Sequence, residues 1–416
     1  MTASLRCHSC EARQPLDAPV TRCPECHGLL EVDRPDQAAD IAARFADRGR
    51  GAAWLTRSGV WRFRELILPE AREADIVSWP EGNTPLIARE SVAAWTGCRR
   101  LTLKHEGMNP TGSFKDRGMT VAVSQARRLG LKAVACASTG NTSASLAAYA
   151  AQAGMTGVVL IPAGRTALGK LAQTVAYGAR ILAVRGDFDA CLDLVEQASG
   201  SLGLYLVNSI NPFRLLGQRT IGFEILEDRR WRAPDWIALP AGNLGNTSAI
   251  GAALLDAKRL GLIDRVPRIA AIQAAGAAPF ARSFAGGFAE RFTVEADTLA
   301  TAIRIGNPAS HDRAVAVIRA TNGVVTTVTD EEILAGKTVI DRAGVGCEPA
   351  SAASVAGVRR LVAEGTIGRD EDVVAILTGH LLKDPEILLK TGGGSITEID
   401  PTLAAVEAAI RGQARA

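Results

Sequence analysis

KAVACASTGNTSASLAAYAAQAGMTGVVLIPAG (132–164) reads as an apolar strand, an alanine-rich helix and a second apolar strand. The alternation continues outward through LGKLAQTVAYGA (168–179), RILAVRG (180–186), FDACLDLVEQASG (188–200) and LYLVNS (204–209). It resumes at WIALPAG (236–242), a helix over about 247–260, RIAAIQAAG (268–276) and VVAILTGH (373–380). Short β-rich runs separated by amphipathic helices need crossover connections, so the strands pair in parallel and are covered on both faces. The pattern predicts an α/β fold of two lobes. With no low-complexity linker between them, the lobes are expected to interleave and share a cleft.

Composition narrows the function classes. The chain has 416 residues, 47% hydrophobic and 22% charged, enough for two or three cores. A net charge of +3 makes no basic stripe, which argues against nucleic acid or an anionic membrane as partner. The opening MTASLRCHSC lacks an apolar stretch of signal-peptide length, and no run is long enough to span a bilayer. A cytoplasmic location is expected.

Four of the eight cysteines form two CxxC pairs, Cys7 with Cys10 and Cys23 with Cys26. Thiolates at that spacing suit a tetrahedral zinc, and a closed four-cysteine site would hold together a segment too short to build its own core. A redox pair or idle thiols in a degenerate ribbon is the alternative. His8 and His27 read as bystanders. Cys98, Cys136, Cys191 and Cys347 sit among apolar or small residues and read as packing.

Two strand-to-helix junctions use the same vocabulary: CASTGNTSAS around Ser138–Thr142, and LPAGNLGNTSA around Gly242–Asn246. Ligands of open parallel sheets collect at such junctions, where glycines permit close approach and the free amides of a first helical turn attract anions. Helix capping by Asn, Thr and Ser explains either loop taken alone. Between strand units stands NPTGSFKDRG (109–118), with Lys115 at its centre. A lysine performs covalent chemistry when desolvated or set near other cations, because only the neutral amine attacks a carbonyl. An aldehyde cofactor bearing a phosphate needs such a lysine and an anion-binding loop together, and pyridoxal 5'-phosphate is that molecule.

EGNTPL (81–86), KHEGMNPTGSFKDRG (104–118), STGNTSASLAAYAAQAG (138–154), LGKLAQ (168–173), NSINPFRLLGQRTIGFEI (208–225), AGNLGNTSA (241–249), RIGNPAS (304–310), GCEPASAAS (346–354) and LTGHLLKDP (377–385) together resemble the threonine synthase family. That family lies within the fold-type II, tryptophan synthase beta-like pyridoxal phosphate enzymes. The resemblance covers nearly the whole chain. It implies two interleaved three-layer α/β lobes with mostly parallel sheets, a large cofactor lobe over 36–110 and 210–416 and a small lobe over 111–209. A zinc-ribbon-like segment over 1–35 precedes them.

Carried over residue by residue, the resemblance makes Lys115 the Schiff-base lysine and proton shuttle. Asn141 would bond the ring's 3-oxygen, Gly242, Asn243, Leu244, Gly245 and Asn246 would cradle the cofactor phosphate, and Thr378 would face the pyridine nitrogen. The implied substrate is O-phosphohomoserine, whose own phosphate would be held by Ser209 and Arg214 with Thr142 and Asn246, an arginine being well suited to a phosphate dianion. Ser113 and Lys170 are secondary candidates. The implied reaction is elimination of phosphate followed by addition of water, giving threonine; fold-type II relatives are often homodimers. Leu381 departs from the glycine that many relatives carry after the histidine. Rival readings are a serine or threonine dehydratase, a synthase using another phosphorylated amino acid, a non-catalytic zinc-ribbon protein that binds pyridoxal phosphate, and a nucleotide-binding α/β protein.

Overall fold

A computed structural model describes residues 3–34, 41–48, 54–164, 168–392 and 397–413. Three sheets organise the chain. The first is antiparallel, in order β2-β1-β3, from β1 (Ser4–Cys7), β2 (Arg13–Pro15) and β3 (Leu30–Asp33). A six-stranded sheet has the order β12-β11-β10-β13-β5-β4. Its strands are β4 (Leu86–Ile87), β5 (Arg100–His105), β10 (Trp236–Pro240), β11 (Arg268–Ala274), β12 (Val324–Val328) and β13 (Asp372–Leu377). It is parallel apart from the edge strand β4. Between β5 and β10 the chain builds a complete parallel sheet, β8-β7-β6-β9, from β6 (Ala133–Ala137), β7 (Thr156–Pro162), β8 (Arg180–Val184) and β9 (Leu204–Leu206).

The inner strands of the two parallel sheets are buried on both sides, as strands under helices require, while the edge strand β8 is exposed or half-buried along its length. In β10, Trp236 and Ala238 pack into one cluster while Ile237 and Leu239 pack into the opposite one. In β6, Val134 and Cys136 face one way and Ala135 and Ala137 the other. The four cysteines outside the ribbon, Cys98, Cys136, Cys191 and Cys347, all lie in these cores.

The chain divides into two compact units, residues 1–383 and 384–416. Within the first, the ribbon docks on the α/β body. Arg22 pairs with Glu196 at 3.2 Å, Gln125 donates to the Leu16 carbonyl at 3.1 Å, and Arg313 donates to the Leu30 carbonyl at 2.6 Å. The polar stretch following the ribbon contributes to the core: Trp61 and Phe63 are buried, and the Trp61 indole donates to the Thr120 hydroxyl at 2.8 Å.

Two features fix the cleft. The Lys115–Arg128 helix crosses the Pro212–Asp228 helix at paired glycines. A Cβ on Gly217 would lie 1.8 Å from the Arg117 carbonyl oxygen, and one on Gly118 would lie 2.8 Å from that of Arg214. Only glycines let these backbones approach so closely, and the approach brings the helix starts carrying Lys115 and Arg214 together. Beneath the crossing, buried Arg117 reaches Glu106 at 2.6 Å and Glu224 at 2.8 Å, while Lys104 reaches Glu224 at 2.6 Å. Glu224 also accepts from the amides of Asn83 and Thr84, each at 2.8 Å, which anchors the EGNTPL turn. Buried charges so densely paired define one geometry, because removing a partner would strand another charge.

Candidate active site

Lys115 begins its helix at the end of a loop stitched to the carboxyl end of β13. Phe114 N–H donates to the Thr378 carbonyl at 3.0 Å, and His380 N–H donates to that of Gly112 at 2.9 Å. Ser113 is buried there and bridges to Gly379. The next residue, Asp116, accepts from the Thr111 amide at 2.7 Å and from the hydroxyls of Thr111 and Ser145, each at 2.6 Å. Lys115 is therefore held from both sides. Its half-buried ammonium rests 4.4 Å from the centre of the Phe114 ring and makes no hydrogen bond among the described residues. Burial foremost, then the Arg214 guanidinium, lower its pKa to about 7, against the opposing pull of Glu348. Much of this amine is neutral at physiological pH, the form that attacks a carbonyl.

Around the lysine stand Asn141, Thr378 and Glu348. Asn141 opens the Asn141–Ala153 helix, and its side-chain amide donates to the Glu348 carboxylate at 3.0 Å. The Thr378 hydroxyl reaches the other Glu348 oxygen at 3.3 Å and the Ser351 hydroxyl at 2.9 Å. Burial raises the Glu348 pKa, although bonds from Asn141 and Thr378 and the cations Lys383 and Lys115 oppose that. No role for Glu348 follows from its position within GCEPASAAS. The available signal was an acid immediately before the proline that starts the Pro349–Ala363 helix. Leu381, the departure from the family pattern, packs against Gly346: a Cβ on that glycine would lie 2.6 Å from the leucine's methyl.

The second loop forms an anion seat. Leu244 caps the Gly245–Arg259 helix in the left-handed region, φ 63°, turning the first amides of the helix outward. Asn246 and Thr247 are buried, and among the described residues neither the Asn246 amide nor the Thr247 hydroxyl has a hydrogen-bond partner. A Cβ on Gly242 would come within 2.9 Å of the Ile303 backbone. Asn243 donates to the Ser209 hydroxyl and accepts from the Ala309 amide at 2.6 Å, which joins this loop to the NSINPFR segment. Orphaned donors at a helix N-terminus, together with a desolvated lysine, fit pyridoxal phosphate.

Arg214 sits in the first turn of its helix and is fully buried. One terminal nitrogen donates to the Val207 carbonyl at 3.0 Å; among the described residues Nε and Nη2 have no partner, and no carboxylate pairs with it. Burial pushes its pKa down to about 10. A buried cation without a counter-ion is expensive, and this one stands ready for an anion. Thr142 is half-buried beside Asn141. Lys170 falls in the Leu168–Ala176 helix, with its side chain outside the described residues.

Apart from the cleft, the sulfurs of Cys7, Cys10, Cys23 and Cys26 all lie within 4.8 Å of one another. Neighbouring separations are 3.3, 3.4 and 3.7 Å, near the ~3.8 Å edge of a tetrahedron with metal–sulfur bonds of ~2.3 Å. Neither His8 nor His27 joins the set.

Comparison with known proteins finds likenesses over most of the chain. The pyridoxal-phosphate dependent enzyme family matches residues 77–379. A threonine synthase of Methanosarcina acetivorans is 47% identical over 414 residues, 99% of each chain. One from Synechocystis is 47% identical over 82% of this chain and 88% of its own. Among solved structures, Escherichia coli threonine synthase superposes with a TM-score of 0.71 at 21% identity, covering 97% of this chain and 94% of that one. Threonine deaminase isoform 2 of Solanum lycopersicum superposes at 0.65 with 21% identity, over 79% and 86%. At such identities the structural likeness speaks for the fold.

Proposed function

This chain belongs to the threonine synthase family of pyridoxal-phosphate-dependent enzymes, and from that we propose that its cleft converts O-phospho-L-homoserine and water to L-threonine and phosphate. The observation that carries the substrate assignment is Arg214, buried with two nitrogens unpartnered in a cleft that already has an anion seat at the Gly245–Arg259 helix. A dehydratase acting on free serine or threonine needs one phosphate seat, so an unpaired Arg214 beside the first seat favours a phosphorylated substrate.

In this reading Lys115, Asn141, Thr378 and Gly242–Asn246 hold pyridoxal phosphate, which when bound supplies an electron sink conjugated with the substrate's α-carbon. Lys115 Nζ, whose pKa of about 7 leaves a substantial share of the amine neutral at pH 7, takes the α-proton and can return a proton to the substrate. Arg214, with Ser209, Thr142 and Asn246 around it, binds the substrate phosphate and stabilises the charge that gathers there as the Cγ–O bond breaks. The balance at the substrate is an α-proton removed and later returned, one proton lost from Cβ, phosphate lost from Cγ, a proton gained at Cγ and a hydroxyl from water gained at Cβ. Thr378 offers a hydroxyl where a carboxylate would keep a ring nitrogen protonated, which favours elimination over transamination.

The ribbon is read as a structural zinc site. Four thiolates close the coordination sphere and leave no position for substrate, so the metal would stabilise the fold without taking part in the chemistry.

Comparing O-phosphohomoserine with O-acetylhomoserine tests the substrate assignment. We expect kcat/KM to fall by about 10³ or more when the dianion is replaced by a neutral ester. Equal use of both substrates would remove Arg214 from the role given to it.

A further inference from the structure

A second cavity, of about 250 Å³, lies where the ribbon meets the body. Its floor is the stripe Pro212, Leu215, Leu216 and Arg219, which falls on the opposite side of that helix from Arg214 and Gly217. Val32 of the ribbon, Ala252 and Val317 complete a mostly apolar wall.

One polar group in this wall is out of place. Arg313 is only 7% exposed. Its Nη2 donates to the Leu30 carbonyl at 2.6 Å, but among the described residues Nε and Nη1 have no partner, and no carboxylate pairs with it. Docking the ribbon therefore accounts for one of its three nitrogens. The acid nearest by charge, Glu31, is engaged by Arg6, and Arg219 is engaged by Asp256 at 2.9 Å. Burial and the Arg219 charge lower the Arg313 pKa to about 10, in keeping with a cation that lacks its anion.

We propose that this cavity is a binding site for a small aliphatic carboxylate, its head on Arg313 and its hydrocarbon body against Leu215, Leu216 and Ala252. His8, Glu31, Arg219 and Ser248 also reach the lining; Ser248 donates to the Leu244 carbonyl and Arg219 to Asp256, and the Glu31 carboxylate disfavours a dianion such as a tetrahedral oxyanion, while the volume suits a singly charged acid with a short branched chain. A carboxylate would satisfy the stranded guanidinium and the hydrocarbon would cover the wall. The site is separate from the catalytic cleft and does not depend on the substrate assigned there.

The test is calorimetric titration of the holoenzyme with sodium 4-methylpentanoate, alongside 4-methylpentanamide and sodium sulfate. Saturable binding of the carboxylate with Kd of about 1 mM or tighter is expected, with the amide at least about tenfold weaker. Arg313→Gln should weaken carboxylate binding by about tenfold or more. Because that change also loosens the ribbon contact, Ala252→Phe provides a second arm: it fills the cavity, leaves Arg313 in place and should abolish binding. No binding up to about 20 mM, tighter binding of sulfate than of the carboxylate, or carboxylate binding unchanged in Ala252→Phe would overturn the proposal.

Discussion

Replacing Arg214 with methionine should make the unliganded protein more stable and the enzyme much worse. A guanidinium whose pKa is brought from 12.5 to about 10 by burial carries a penalty of roughly 3 kcal/mol for staying charged at neutral pH. The sign follows from the depressed value: the penalty is constant below pH ~10 and is relieved only as pH rises through the folded-state pKa toward the unfolded one. Methionine removes the charge with similar bulk and gives up one hydrogen bond to the Val207 carbonyl, worth about 1–2 kcal/mol once the buried acceptor is stranded. A net gain of about 1–2 kcal/mol remains, a rise of roughly 2–4 °C or less in Tm for a chain this large. Against this, truncating a buried partner of a phosphate dianion costs about 2–5 kcal/mol, so kcat/KM for O-phosphohomoserine should drop by about 10²–10³. Thermal melting of the protein loaded with pyridoxal phosphate, with and without inorganic phosphate, reads both effects: with the cofactor seat filled, phosphate should stabilise the wild type and leave Arg214→Met unmoved. A variant that melts lower and still responds to phosphate would refute the reasoning, because Arg214 would then be serving the fold.

Covalent loading of Lys115 should follow its neutral fraction, so the rate of cofactor attachment rises with pH and is half-maximal near 7; Arg214→Met, which removes a neighbouring cation, should move that midpoint upward. Stopped-flow absorbance against pH measures both, and a midpoint near 10 would contradict the desolvated lysine. Gly217→Ala pushes a Cβ into the Arg117 carbonyl and should destabilise the protein by about 1–3 kcal/mol while raising KM, as the helices bearing Lys115 and Arg214 part; an unchanged Tm would show that the crossing has slack. Elemental analysis should find one zinc per chain. Its removal by a chelator, or Cys10→Ser, should lower Tm and leave kcat of the surviving folded enzyme near the wild-type value, whereas parallel loss of kcat would bring the ribbon into the chemistry.

Some of this architecture could be read from short stretches. The CxxC pairs are legible because a metal site depends on local spacing, and the β6-to-β9 sheet because each strand is a mostly apolar run set between helices. Strand β5, RLTLKH, escaped that reading: its Lys104 is buried only because Glu224, 120 residues away, lies 2.6 Å from it. Arg62, Arg117 and Glu106 were opaque for the same reason, since burial of a charge depends on a partner that no local window contains. In the cleft, Lys115 and the Gly242–Asn246 loop were marked by turn chemistry and helix starts. Glu348 was not, as only the folded chain places its carboxylate between Asn141 and Thr378. That Arg214 lacks a counter-ion is likewise a property of its surroundings, and NPFR is equally compatible with a surface ion pair.

The most direct test of the account follows both products while the purified protein, loaded with pyridoxal phosphate, acts on O-phosphohomoserine. Threonine and phosphate should appear in equal amounts and at equal rates. Phosphate released with a keto acid in place of threonine, or no release of phosphate by the loaded enzyme, would contradict it.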